Sequence, residues 1–164
     1  MRRIGIAKRA IGGGVVAALA FSMWAAPSGA SNIGEQGCTP GYWKNHTDAW
    51  ADPVENDSYS PDQTLDDLFN FPDSLAAFRT VKLVDALDGG GGSGVTGATK
   101  ILMRASVAAF LNAAVEDIGY PYRRFDEPGN MTATINGLLA GQDRSAIIAY
   151  ATVLDTANNL GCPR

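Results

Sequence analysis

The chain has 164 residues, 46% of them hydrophobic and 18% charged, with 13 basic side chains, 17 acidic ones and a single histidine. An acidic excess repels phosphate backbones and anionic headgroups, which disfavours nucleic-acid binding and adhesion to anionic lipid. With two cysteines, no CxxC and no second histidine, the chain also lacks the residues for a zinc site.

Residues 1–30 read as a secretory signal peptide. Arg2, Arg3, Lys8 and Arg9 make a positive start, residues 10–26 are mostly apolar, and Ser28, Gly29 and Ala30 supply a small-residue cleavage site. The apolar run holds three consecutive glycines and stops at Pro27, which favours cleavage after Ala30 over an uncleaved anchor and leaves no stable membrane span. What remains, 31–164, is expected to be a single secreted helical domain with nine basic against seventeen acidic side chains, a net charge of −8. Cys38 and Cys162 bracket it, and in an oxidising compartment such a pair reads as a disulfide joining the two ends.

The first element is expected in "CTPGYWKNHTDAW". Thr39 serves as N-cap and Pro40 as first helical residue, with the helix continuing through Trp50. On that helix Trp43, His46 and Trp50 share a face at i, i+3 and i+7, while Lys44 and Asp48 pair at i, i+4. The face with two tryptophans is expected to pack against the C-terminal helix, with His46 hydrogen-bonded inside. Tyr42, Trp43, Lys44, His46 and Trp50 form the candidate binding group, because aromatic faces stack on sugar rings or fill partner pockets. Any binding role then falls to whichever of Tyr42, Lys44 and His46 the packing leaves outside.

Residues 51–63, "ADPVENDSYSPDQ", form an acidic, turn-rich loop. Asp52, Glu55, Asp57 and Asp62 crowd it and leave calcium as an alternative to an ordinary solvated loop, although the pattern is not that of an EF-hand. Thr64 caps a short helix through Phe71, followed by short helices in "DSLAAF" and "TVKLVDALD". "GGGGSGVTG", residues 89–97, breaks the last of these. It contains the letters GxGxxG but no preceding strand, so a flexible connector is expected rather than a nucleotide site.

The strongest helix spans about 96–117, with Ile101, Leu102, Ala105, Ala108, Leu111 and Val115 on a broad apolar face, and is expected to be central. Lys100 and Arg104 lie one turn apart on it, with Asn112 two turns beyond Arg104. Arg104 and Asn112 are expected to be structural, Arg104 through an internal salt bridge to an acidic loop. The alternative is a site for an anionic ligand. "GYPYRRFDEPGN" is a loop, and two helices follow, about 131–140 stopped by Gly141 and about 143–160 capped by Asp143 and stopped by Gly161. Ile147, Tyr150, Ala151 and Leu154 make the last helix's buried stripe. The fold class is therefore all-α, a compact bundle of five to six helices with long loops and its ends joined by one disulfide.

Catalytic chemistry is hard to assemble from these residues. There is no GxSxG elbow, and Glu35, Glu55, Glu116 and Glu127 all fall in loops or at helix ends, so no residue is singled out as catalytic and no cofactor is expected.

"CTPGYWKNH" near the start, "LMRASVAAFLNAA" in the middle and "NNLGCP" at the end resemble a family of small secreted bacterial domains marked by C-T-x-G-Y-W-K-N-H and a closing N-N-L-G-C. The likeness covers residues 38–163 and implies secretion and a shared fold, while lending no catalytic residue. The reading is a secreted, non-catalytic binding or structural protein of the cell surface or extracellular matrix, with an envelope polysaccharide or another extracellular protein as partner. The alternative is an envelope-glycan hydrolase using a carboxylate acid.

Overall fold

Hydrophobic periodicity of 3.6 without sustained alternation dictates helices, and five α-helices form: α1 Pro40–Asn45, α2 Leu83–Ala86, α3 Gly94–Ala114, α4 Met131–Gly141 and α5 Arg144–Asn158. Three 3-10 turns, Thr47–Trp50, Leu65–Asp67 and Asp73–Phe78, lie between α1 and α2. These assignments come from a computed structural model that describes residues 35–50, 59–115, 117–125 and 130–164. The signal segment and the residues Asp52, Glu55, Asp57, Glu116 and Glu127 lie outside the described residues. Among those described, the only extended pairings are two isolated antiparallel bridges, Gly37 with Gly161 and Thr64 with Lys82.

The 21-residue α3, roughly 30 Å long at the usual helical rise, is the axis of the molecule. It is buried on more than one stripe, with Leu102, Met103, Val107, Phe110 and Leu111 inside and Ala98, Ala105, Ala108 and Ala109 letting neighbours approach closely. Its main partner is α5, which lays Ile147, Ala151, Leu154, Ala157 and Asn158 against it. Tyr150, expected in that stripe, is only half-buried. α4 contributes Met131, Ile135 and Leu139 to the core at i, i+4 and i+8. Phe110 anchors an aromatic cluster, meeting Phe69 edge-on at 5.1 Å and Phe125 at 5.9 Å.

Asp143 caps α5, its Oδ1 accepting from Ser145 N at 2.8 Å and Ala146 N at 3.3 Å. The end of α4 differs from expectation. Gly141 remains helical and Gln142 takes the left-handed position at φ 51°. Its N–H donates to Leu138 O, and its Oε1 accepts from Ser74 Oγ at 2.9 Å, which fixes the strained residue.

The segment after Thr64 is shorter than expected, and both it and Asp73–Phe78 tighten into 3-10 turns rather than α-helices. Segments this short cannot recover the cost of helix nucleation by propagation, so side-chain bonds and tertiary contacts hold them. Asp67 Oδ2 accepts from Thr64 N at 2.8 Å, and Leu65 N and Leu83 N bond Val81 O and Gln63 O across the bridge.

The glycine-rich segment is a packed turn rather than a loose connector. A Cβ on Gly97, in the first turn of α3, would overlap the backbone carbonyl group of Gly92, and Gly94 sits at φ +65°. The GxGxxG letters therefore record a close approach of the loop to the start of its own helix.

Candidate functional site

The geometry around α1 follows from how the helix starts and how it stops. Thr39 Oγ1 accepts from Tyr42 N at 3.1 Å and Pro40 occupies the first turn, so α1 begins directly after Cys38. Cys38 is bonded to Cys162 with a Cα–Cα distance of 4.4 Å, and Gly37 N donates to Gly161 O at 3.0 Å beside it. The two ends of the described chain meet here.

Trp43 is fully buried against α3, where its Nε1 donates to Asn112 Oδ1 at 3.0 Å. The same Oδ1 accepts from Cys38 N at 2.7 Å. Asn112 Nδ2 donates to Cys38 O at 2.9 Å and to Asn158 Oδ1 at 3.0 Å. Asn158 Oδ1 also accepts from Tyr120 Oη at 2.8 Å, and its Nδ2 donates to Ala105 O at 2.9 Å. Burial pushes the Tyr120 hydroxyl far above the ordinary tyrosine range, so it stays a neutral donor. Asn112 makes two bonds as acceptor and two as donor, the full capacity of its amide.

Trp43 and Trp50 are buried, while His46 is exposed. The expected helix through Trp50 does not form. His46 leaves helical geometry at φ −128°, ψ 59°, and the Thr47–Trp50 turn carries Trp50 into the core by another route. The orphan carbonyls at the end of α1 explain the stop: Trp50 Nε1 donates to Trp43 O at 2.9 Å and Asn45 Nδ2 to Gly41 O at 2.9 Å. The packing partner also differs from expectation. α1 contacts α3, and α5 reaches the site through Asn158.

Outside the core, Tyr42 and His46 stack with ring centroids 4.2 Å apart and planes at 16°. His46 Nδ1 lies 2.8 Å from Tyr42 O. A carbonyl only accepts, so Nδ1–H donates in this bond, which leaves Nε2 for other partners. Tyr42 is half-buried, its ring meeting Trp43 edge-on at 5.2 Å. Lys44 pairs with Asp88 at 2.8 Å instead of Asp48, because α1 ends before Asp48 could lie one turn along from it.

Arg104 is exposed and forms no ion pair among the described residues, so the internal salt bridge expected of it is not made. It lines a groove between α3 and α5 instead. Asn158 and Tyr120 lie outside the candidate residues named from the sequence. A signal for Asn158 existed: with Ile147, Ala151 and Leu154 it continues a helical stripe at i, i+4, i+7 and i+11. Tyr120 sits in an irregular segment that carries no such pattern.

Among the described residues no group of three metal-binding side chains forms. Asp62, from the acidic loop, is exposed and paired with Lys82 at 2.7 Å. No family model, curated protein or solved structure matches this chain.

Proposed function

We propose that this protein is a secreted, non-catalytic binding or structural domain of the cell surface or extracellular matrix, with Tyr42, Lys44 and His46 as its contact group. The observation that carries the reading is the way residues 40–50 divide their aromatic side chains. Trp43 and Trp50 are used inside the core, whereas Tyr42 and His46 form a nearly parallel ring pair at the surface. The outer face of such a pair stacks on the apolar face of a sugar ring, and the exposed His46 Nε2 suits a hydroxyl group. An envelope polysaccharide is thus the favoured partner.

Three further observations support the reading. The Cys38–Cys162 disulfide suits an oxidising compartment. No helix among the described residues is long and apolar enough to cross a membrane. Every described aspartate and glutamate is exposed, whereas glycan cleavage needs a carboxyl group whose pKa is raised by a sheltered site.

The test is incubation of purified 31–164 with insoluble envelope polysaccharides, scoring retention and cleavage. Retention without cleavage is expected, and Tyr42→Ala or His46→Ala weakens it by about two- to tenfold, the worth of one aromatic contact. Cleavage products would overturn the non-catalytic reading, and neither retention nor cleavage would leave the structural role alone.

A further inference from the structure

We propose that the groove between α3 and α5 is a second binding site, which takes a small α-amino acid between Arg104 and Asp155. The groove has a volume of about 140 Å³ and is lined by Ile101, Arg104, Ala105, Ala151, Thr152 and Asp155. Arg104 and Asp155 face it from opposite helices, and neither forms an ion pair among the described residues. That contrasts with Lys44, Arg79, Lys82 and Arg164, each of which is paired with an aspartate. Lys100, one turn before Arg104, is also exposed and without an ion pair among the described residues, which adds positive potential at the same end.

Two opposite charges that share a groove but do not close on each other suit a ligand that carries both. The guanidinium offers a planar fork for a carboxylate. Asp155 offers an acceptor for an ammonium group. Thr152 Oγ1 already donates to Ile148 O at 2.9 Å, so towards a ligand it acts as a second acceptor. Ala105 and Ala151, both buried, with Ile101 beside them, supply an apolar surface for a short side chain. Because α3 and α5 form the main helix pair of the fold, the backbones that carry the two charges are held at a fixed separation.

Charge spacing selects among ligands. A carboxylate and an ammonium joined through one carbon, with a short side chain for the Ala105–Ala151 floor, describe glycine or alanine. The proposal is independent of the aromatic face on α1, so either can fail alone.

The experiment is a titration of the purified domain with alanine, glycine, acetate and ethylammonium, followed by amide chemical shifts in two-dimensional NMR. Alanine is expected to give saturable shifts at Ala105 and Thr152. Arg104→Gln should weaken alanine binding by about tenfold or more, the loss of a charge-assisted hydrogen bond. Asp155→Asn should weaken alanine binding comparably while leaving acetate binding unchanged, and Arg144→Gln should alter neither. Absence of saturable shifts at the groove overturns the proposal. So does equal binding of alanine and acetate with no effect of Asp155→Asn, or an Arg104→Gln variant that binds alanine as before.

Discussion

Asn112 shows what a single buried amide can organise. Its side chain pairs with both the N–H and the C=O of Cys38, and holds the Trp43 indole and the Asn158 amide at the same time. An apolar residue of similar size would leave several buried polar groups unmet, each costing about 1–3 kcal/mol. Tyr120 closes the network from the other side. Tyr120→Phe is expected to cost only about 1 kcal/mol at neutral pH, because Asn158 Oδ1 keeps its bond from Asn112. At high pH the comparison changes. The folded state holds the phenol proton above the ordinary value of 10.0, since burial opposes ionisation. The unfolded chain therefore releases that proton first, so the stability the neutral phenol confers is complete below about pH 10 and declines as the pH rises above it. Urea midpoints followed by tryptophan fluorescence should fall above about pH 10 in the native protein and fall less steeply in Tyr120→Phe.

Elements of this fold differ in what sustains them. α3 and α5 are long enough to be read from periodicity alone, and their buried faces lie close to where the apolar spacing puts them. The short segments between residues 47 and 86 are decided by contacts instead. The Trp50 indole bonding a carbonyl of α1 and the Thr64–Lys82 bridge both come from residues outside the helical turn they fix. The start of α3 depends on two glycines meeting. Gly97→Ala is expected to destabilise the protein by about 1–3 kcal/mol, as overpacking does, because the new methyl group meets Gly92 backbone rather than a movable side chain. Gly90→Ala is the control: nothing lies within 4 Å of a Cβ there, so the change should be near neutral. Thermal midpoints of the two variants check the contrast.

At the scale of the molecule, both ends of the described chain are fastened at one place by three different means. The disulfide spans a sequence separation of 124 residues, the Gly37–Gly161 bridge lies beside it, and Asn112 grips Cys38 from α3. Gly37 is needed because a Cβ there would overlap the Ala157 carbonyl. Closing so long a loop is worth roughly 4–5 kcal/mol in the chain-entropy model, with strain often reducing it. The Cys38→Ala/Cys162→Ala double variant should lose about 2–5 kcal/mol in denaturant titrations. Its helical circular dichroism is expected to persist, since the Asn112 network and the α3–α5 packing do not require the sulfur bond.

Cys38, Trp43, Asn112, Asn158 and Cys162 all converge on this fastening. Sequence alone determined the helical class, the longer helices, the burial of Trp43 and Trp50 and the partnering of the cysteines. Apolar spacing reports which face of a helix avoids water, and that property is local. Tertiary structure decided that His46 faces out, that Lys44 pairs with Asp88, that Arg104 opens onto a groove, and that Asn158 and Tyr120 complete the buried network. Each of these depends on which distant group arrives within hydrogen-bonding distance, and no periodicity along the chain encodes that.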